Sequence, residues 1–382
     1  MFVTLYLSIT GLLFAVYGSL IFTYRKWFVK LKPFELSPTI EPQVKFSIII
    51  PARNEALNIE KCLTHIKKQN YPTTNYEVWV INDFSTDDTA NVVLNFGKRE
   101  KNIHLINLAD VIGEKPLNSY KKKAIELAVS KANFEWIITT DADCWMGSNW
   151  LRAYNAYILA YNPVFVGAPV VFSNNGSMLE SFQSIDFMTM QGVTAAAVSA
   201  NVHSMCNGAN LAYTKKAFID VNGFAGIDNL ASGDDMLLMN KIKQQFPGKL
   251  GYLFSKQAIV ATLPMPNWQS FLNQRIRWAS KADKYNDKSI FIVLLCMYCY
   301  NLSLFIMPLL SFLNYWFLVY FLIAIVLKTA VEMSFALPLS RFFGIKLQWK
   351  HILLQYPHIA YMVIAGWMGK FGKYQWKGRT VK

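Results

Sequence analysis

The stretch Glu135–Cys144, EWIITTDADC, decides how the chain is read. Trp136–Thr140 is a short run of apolar and β-branched residues, the pattern of a buried strand. It ends in two carboxylates, Asp141 and Asp143, separated only by Ala142. Alternation along a strand puts residues i and i+2 on one side, so both acids are expected to face one point. Ligands of open α/β sheets bind at the carboxyl ends of the strands, and two hard oxygen donors there suit Mg²⁺ or Mn²⁺ bound to a diphosphate. Taken alone, an Asp-x-Asp triplet is more often a solvated turn after a strand, so the flanking sequence has to decide.

Outward from this stretch, strand and helix patterns alternate. Phe46–Ile50 reads as a buried strand, Asn58–Gln69 carries Ile59, Leu63 and Ile66 at helical spacing, and Tyr76–Ile81 is the next strand. Strand-like Ile103–Ile106 and helix-like Lys121–Ala132 then lead into the Trp136 strand. The pattern predicts an α/β domain over residues 45–265, with a mostly parallel sheet flanked by helices. Polar residues gather at the strand ends, Pro51-Ala-Arg53-Asn-Glu55 after the first and Asn82-Asp83-Phe-Ser-Thr-Asp-Asp-Thr89 after the second. Acids and amides at successive strand ends converge on one edge, where a carboxylate can hold ribose hydroxyls or a base N–H. Asp83 reads equally as a helix cap, and Asp87 and Asp88 read as caps.

Composition bounds the partners. The 382 residues are 53% hydrophobic and 15% aromatic, with a formal net charge of +14. Lys and Arg lie largely beside apolar segments, which points to an anionic membrane surface and an anionic substrate rather than nucleic acid. The five cysteines (Cys62, Cys144, Cys206, Cys296, Cys299) have no zinc-ligand spacing, and a reduced compartment fits them.

Phe2–Tyr24 is uncharged, apolar and long enough to cross a bilayer. Arg25, Lys26, Lys30 and Lys32 follow at once, so residues 1–24 are expected to be a retained anchor with the N-terminus outside and the following domain in the cytosol. Pro33–Val44 reads as a linker. Pro266–Tyr285 is an amphipathic helix candidate (interface region 266–288) on which Gln274, Arg277 and Trp278 share a face, while Trp268, Phe271 and Leu272 form an apolar stripe suited to the lipid boundary. In the C-terminal region 289–382, Ser289–Phe312 and Tyr315–Leu337 can each span. Lys328 and Glu332 within the second are expected to pair with each other near the interface, the alternative being a functional site. Arg341, Lys346 and Lys350 mark a return to the cytosol. His351–Met368, interrupted by Pro357, His358 and Gly366, is expected to be re-entrant or interfacial rather than a third crossing, which keeps the basic tail with Trp376-Lys-Gly-Arg379 inside.

In order and spacing, SIIIPARNE, INDFSTDDT, TTDADC, CNGANLAY, SGDD and QRIRW together resemble the family 2 glycosyltransferases, and within them the membrane-bound branch. The likeness runs from about Phe46 to about Tyr285. It implies an inverting enzyme on the nucleotide-sugar-binding α/β fold called GT-A. It places Pro51, Arg53 and Glu55 in the strip lining the nucleotide pocket, Glu55 near the ribose and Asp83 on the nucleoside. Lys121 stands near the family's glycine-lysine pair, with Tyr120 in place of the glycine; the run Lys121-Lys122-Lys123 reads otherwise as a solvated helix start. Asp141 and Asp143 match the metal pair, Asp143 as the direct ligand. Met178–Gln191 and Cys206–Tyr213 resemble the acceptor-side segment, in which Gly208 lets a backbone approach a sugar and Asn210 is a sugar contact or a turn residue. Asp235 falls where the family places its general base and Asp234 is the acid before it, although a carboxylate at a helix start is ordinarily a cap. Gln274, Arg277 and Trp278 match the Q-x-x-R-W motif that binds the leaving diphosphate and borders the acceptor.

The implied chemistry needs these residue types. Inverting transfer is a single displacement, so it requires one base near the acceptor hydroxyl and positive charge on the leaving diphosphate, but no protein nucleophile. No Ser–His or Cys–His arrangement is evident. The expected partners are a nucleotide-sugar donor, read as a UDP-sugar, a membrane lipid or lipid-linked acceptor, the bilayer, and Mg²⁺ or Mn²⁺. The expected setting is a bacterial cytoplasmic membrane with the catalytic domain in the cytosol. A processive polysaccharide synthase is the rival reading, set back by the small number of C-terminal spans. A membrane scaffold or transporter with a disabled transferase domain would need lost acids, and every expected acid is present. Arg277→Lys keeps the charge but not the planar fork; turnover should fall in steady-state assays, and wild-type rates would make Arg277 a helix anchor only.

Overall fold

The structure, a computed structural model, describes residues 2–381 except 114–116, 175, 204, 229, 231–232, 282–287, 348–351, 373 and 377–378. Ser232, Tyr285, Lys350, His351 and part of the basic tail therefore lie outside the described residues. The chain forms two compact units, one of Lys32–Ser173 with Ala197–Leu263, the other of Met1–Leu31, Asn174–Ala196 and Pro264–Lys382.

Helix α1 (Phe2–Lys30) belongs to the second of these. The first is built on strands β1 (Phe46–Ala52), β2 (Tyr76–Asn82) and β3 (Ile103–Asn107), alternating with helices α2 (Ile59–Lys67), α3 (Thr89–Gly97), α4 (Leu108–Ile112) and α5 (Tyr120–Lys131). There follow β4 (Trp136–Thr139), β5 (Trp145–Met146), α6 (Trp150–Tyr161), β6 (Phe165–Gly167) and β7 (Val170–Phe172). After α7 (Met178–Ser199) come β8 (Leu211–Thr214), α8 (Lys215–Asp220), α9 (Asp234–Gln245), β9 (Leu250–Tyr252) and β10 (Val260–Thr262).

The main sheet has seven strands in the order β3-β2-β1-β4-β8-β6-β9. Every pairing is parallel except that β8 runs antiparallel between β4 and β6. The expected α/β fold with a mostly parallel sheet is therefore the one observed. Its inner strands are apolar on both faces, as helices on both sides require; Phe46, Ile48, Ile49 and Ile50 are all fully buried. The stripe of α2 read from the sequence, Ile59, Leu63 and Ile66 with Cys62 between them, is fully buried. A three-stranded sheet, β5-β10-β7, completes the unit.

Two buried asparagines fasten the pieces. Asn155 of α6 accepts from the Gln43 and Val44 amides at 3.0 Å and donates to Glu41 O at 2.9 Å, which pins the linker read at Pro33–Val44. Asn210, just before β8, accepts from Trp150 Nε1 and Tyr154 OH, both at 3.0 Å, and donates to Pro169 O at 2.8 Å and Ala258 O at 2.7 Å. Those four bonds use the whole hydrogen-bonding capacity of an amide.

The second unit contains α1, α7, α10 (Trp268–Ala279), α11 (Lys288–Leu310), α12 (Trp316–Phe343), α13 (Gln355–Phe371) and a backbone hairpin of β11 (Tyr374–Trp376) and β12 (Arg379–Val381). Three helices, Val3–Lys30, Lys288–Leu310 and Trp316–Phe343, are long and apolar enough to cross a membrane. They coincide with the three expected spans. α13 is a continuous helix through the residues expected to interrupt it: Pro357 lies in its first turn, where a missing N–H costs nothing. Gly366 is close enough to the Tyr298 ring of α11 that a side chain there would collide with it. Lys328 and Glu332 do pair, at 2.5 Å, but inside the unit rather than at an edge: Lys328 is fully buried and also donates to Gln355 Oε1 at 2.9 Å, while Tyr17 OH donates to Glu332.

Asn210→Ala strands two buried carbonyls and two buried donors at once. It should lower stability by about 3 kcal/mol or more, read as a fall in Tm; an unchanged Tm would mean the asparagine does not hold β8 in place.

Candidate active site

The loops after β1 and β2 are stapled to one another. Arg53 donates to the carbonyls of Asp83 and Phe84 at 2.8 and 2.9 Å. The Glu55 amide donates to Thr89 Oγ1 at 2.8 Å and the Ala56 amide to Asp87 Oδ2 at 3.0 Å. Asp87 also accepts from the Thr89 amide at 3.1 Å, the first amide of α3, whereas Asp88, at the N-cap position and also expected to cap, makes no side-chain cap bond and accepts from Asn91 Nδ2 at 2.7 Å instead. Asn54 and Phe84 take left-handed backbone angles, φ 52° and 51°, a conformation an aromatic residue adopts only when its surroundings impose it. Asp83 is buried at the end of β2, and Glu55 is buried while accepting from Asn58 Nδ2 at 2.8 Å. Pro51 lies within β1, directly before this strip.

Asp141 and Asp143 meet for a different reason than strand alternation. β4 ends at Thr139, and the acids sit in a turn closed by the Cys144 amide donating to Asp141 O at 3.1 Å. Carboxylate oxygens of both acids and Cys144 Sγ all lie within 4.8 Å of one another. Burial, then Asp143 and Asp141, push the Cys144 thiol pKa well up. The two carboxylates are hard oxygen donors, which suit Mg²⁺ or Mn²⁺.

The three-lysine run divides into three tasks, as successive residues a hundred degrees apart on a helix allow. Lys121 Nζ lies 2.9 Å from Asp141 Oδ1 and 3.4 Å from Asp234 Oδ2. Burial alone would lower its pKa, but Asp141 and Asp234 outweigh that and hold it above the usual lysine value, so it remains an ammonium. Lys122 is buried and donates to Ile227 O at 2.5 Å and Leu230 O at 2.7 Å, and burial lowers its pKa. Lys123 is on the surface, 3.3 Å from Glu126. Tyr120, in the place of the family glycine, sets its ring edge-on to Phe84 at 5.6 Å.

Asp234 and Asp235 open α9 after Gly233, whose φ is 79°. Asp235 Oδ2 accepts from the Gly208 amide at 3.0 Å and Oδ1 from the Met236 amide at 2.7 Å. Thr139 Oγ1 donates to Gly208 O at 2.9 Å, so Gly208 is pinned from both sides. A Cβ at Gly208 would lie 3.5 Å from both Asp234 Oδ2 and Lys121 Nζ. The glycine thus lets its backbone lie close to these two side chains. Asn210, read as a sugar contact or a turn residue, is committed to the core, where its amide uses all four hydrogen-bonding positions.

Asp141, Asp143, Lys121, Asp234, Asp235 and Gly208 therefore come together within one unit. Glu55 lies within electrostatic reach of the same acids: burial, then Asp143, Asp141 and Glu55, all raise the Cys62 thiol pKa. Asp83 and Arg53 follow strands adjacent to this cluster in the sheet. Gln274, Arg277 and Trp278 lie on α10 of the other unit. There the residue between them that sequence reading passed over, Arg275, is the buried one. Asp186, in the middle of α7 and flanked by Ile185, Phe187 and Met188, was the signal in the sequence that a partner would be needed.

Over residues 47–221 the chain matches the family model described as Glycosyl transferase family 2, and over residues 136–368 the one described as Glycosyl transferase family group 2. It is 28% identical over 192 residues to glycosyltransferase AglE of Haloferax volcanii, a match covering 50% of this chain and 58% of AglE. It is 24% identical over 261 residues to a poly-beta-1,6-N-acetyl-D-glucosamine synthase of Staphylococcus epidermidis, covering 66% of this chain and 59% of that protein. The chain thus spans less than two thirds of the length of these relatives. Mannosyltransferase PcManGT from Pyrobaculum calidifontis, solved in complex with GDP-Man and Mn²⁺, has the same fold, with a TM-score of 0.61 and 20% identity over 95% of this chain and 98% of that one.

Because the Lys121 ammonium competes for the same acids a cation would use, Lys121→Met should bind Mn²⁺ alone at least about threefold more tightly, measured by titration calorimetry without nucleotide. Unchanged or weaker binding would mean the ammonium does not govern these acids.

Proposed function

The chain belongs to glycosyltransferase family 2, and from that premise we propose that it moves a sugar, with inversion, from a nucleoside diphosphate donor, a UDP-sugar, to a hydroxyl of a lipid or lipid-linked acceptor. The observation that carries the reading is the Lys121 ammonium shared between Asp141 and Asp234. It joins the acids of the D-x-D turn to those opening α9, which is the assembly a single displacement requires: charge for the leaving group on one side, a base on the other.

The roles follow from position. Asp143 and Asp141 would hold Mg²⁺ or Mn²⁺, which when bound supplies positive charge to the diphosphate oxygens. Lys121 offers a second cation to the same oxygens. Asp235 is the base: each of its oxygens accepts one backbone N–H, which fixes the carboxylate and leaves a lone pair on each for the acceptor hydroxyl. The hydroxyl oxygen bonds to the anomeric carbon, its proton passes to Asp235, and the bond to the diphosphate oxygen breaks on the opposite face. Asp234, held by Lys121, keeps that cation in the site. Pro51, Arg53, Glu55 and Asp83 form the nucleoside side, where Arg53 braces the carbonyls of Asp83 and Phe84 so that the loop is preset. Gly208 belongs to the acceptor side by its bond to Asp235. Gln274, Arg277 and Trp278 are assigned to the leaving diphosphate and acceptor on the motif resemblance alone.

Three helices able to cross a membrane support an acceptor that is itself membrane-borne, and the basic residues ending α1 support a catalytic unit in the cytosol of a bacterial cell. The match to a poly-beta-1,6-N-acetyl-D-glucosamine synthase favours a second reading, repeated addition to a growing polymer. Native membranes supplied with radiolabelled UDP-glucose, UDP-N-acetylglucosamine and GDP-mannose, then extracted with organic solvent, decide between them. One sugar on extractable lipid is the expected product; a long insoluble polymer selects the second reading, and no transfer from any of the three contradicts both. Asp235→Asn should reduce transfer at least a hundredfold while nucleotide binding persists, and retained turnover would remove Asp235 as base. Asp143→Ala should abolish the difference in UDP affinity with and without Mn²⁺, whereas a preserved difference would move the metal elsewhere.

A further inference from the structure

A second charged centre lies wholly within the helical unit. Asp186 of α7 and Arg275 of α10 are both at least 95% buried, with side chains 5% and 4% exposed. Arg275 Nε and Nη2 donate to Asp186 Oδ2 at 3.1 and 2.7 Å. The other oxygen, Oδ1, accepts from Tyr361 OH of α13 and has His358 Nε2 at 3.7 Å. The remaining Arg275 nitrogen, Nη1, donates to Gln274 Oε1 at 2.6 Å. The guanidinium carbon stands 4.3 Å from the Trp278 ring centroid and 4.6 Å from that of Phe271.

Of the three side chains that Arg275 meets on its own helix, Gln274 and Trp278 are the first and last residues of the Q-x-x-R-W motif and the third is Phe271. We propose that Asp186 and Arg275 are positioning residues for sugar transfer: Asp186 clamps the guanidinium, and the guanidinium fixes the Gln274 amide and the Trp278 indole. The inference rests on the reading of Q-x-x-R-W given under the proposed function. With its oxygen committed to Arg275, Gln274 has its amide hydrogens turned to the opposite end, the donors that a phosphate or sugar oxygen takes. Trp278 meets the guanidinium over its ring and the Phe187 ring, tilted by 34°, at 5.9 Å, and both contacts restrict its orientation. Arg277 is two residues beyond Arg275, so burying Arg275 turns Arg277 to another side of α10.

Stability alone does not account for the pair. The helices already share an apolar cluster of Phe182, Phe271, Ile276, Leu354, Tyr361 and Ala365, and a buried ion pair is at best a weak stabiliser beside apolar residues of the same volume. What it adds is direction. A planar fork that binds a carboxylate through two nitrogens, an amide through the third and an indole through its face is available only to arginine.

The full-length protein is assayed with whichever of UDP-glucose, UDP-N-acetylglucosamine and GDP-mannose supports turnover. Arg275→Lys keeps the ion pair to Asp186 but loses the fork and the stacking. Its Tm should stay near wild type while kcat falls at least tenfold and the donor KM changes less than threefold. Asp186→Asn should show the same kcat and KM split with a lower Tm, since it leaves a buried guanidinium without its carboxylate, and Asp186→Asn with Arg275→Lys should lose no more kcat than either single variant, as members of one clamp must. Wild-type kcat in Arg275→Lys, or losses that multiply in the double variant, overturn the inference. If Asp186→Asn does not fold, Tyr361→Phe decides: it removes one hydrogen bond to Asp186 and should lower kcat severalfold at constant KM, and an unchanged kcat counts against the clamp. Arg277→Ala run in parallel separates the layers. An inactive Arg277→Ala beside a fully active Arg275→Lys rejects the clamp but spares the motif reading, and a fully active Arg277→Ala rejects the motif reading and the clamp with it.

Discussion

Carboxylates repel one another, and the candidate site gathers Asp141, Asp143, Asp234 and Asp235 around one lysine ammonium. Lys121 touches one acid of each pair, and without such a cation the cluster would lose its negative charge by protonation or spread apart. The surrounding fold serves to hold that arrangement. The D-x-D turn hangs from a fully buried strand, and Gly208 is tied to Thr139 of that strand on one side and to Asp235 on the other. Beneath it, Asn210 locks the start of β8 with four core bonds. An acidic site already organised around a cation is suited to a donor that brings both anionic phosphates and a divalent metal.

The helical unit follows the same rule in an apolar setting. Charged groups among helices of this composition are costly unless partnered. Lys328 meets Glu332 one turn along its own helix and Gln355 of α13, Tyr17 of α1 meets Glu332, and Arg275 meets Asp186 of α7. The bonds that cross from one helix to another fix rotation in a way that apolar packing, which is non-directional, does not.

The fold was legible because its signals are local. Apolar runs such as Phe46–Ile50, the helical spacing of Ile59, Leu63 and Ile66, and uncharged stretches of spanning length each state their element without reference to the rest of the chain. Asp141 and Asp143 stood out by their place after a strand, and Asp234 and Asp235 by the motif resemblance at a helix start. What sequence could not supply was partnership. Strand alternation was the wrong reason for the meeting of Asp141 and Asp143, which a turn brings about. Nothing in Lys121-Lys122-Lys123 tells which lysine faces the acids, which one bonds the Ile227 and Leu230 carbonyls and which meets water, because rotation of α5 is set by what it packs on. Asn210 has turn-residue chemistry but spends all of it on main-chain and aromatic partners brought from elsewhere. Arg275 was overshadowed by Arg277, two positions on, since a motif marks residues by identity and says nothing of burial.

The most direct measurement is an anomalous-difference map from crystals grown with Mn²⁺ and UDP. The account predicts one manganese peak on Asp143 and Asp141, with a diphosphate beside Lys121 and Asp235 close by. A manganese peak away from these two acids, or a diphosphate bound out of reach of Lys121, would contradict it.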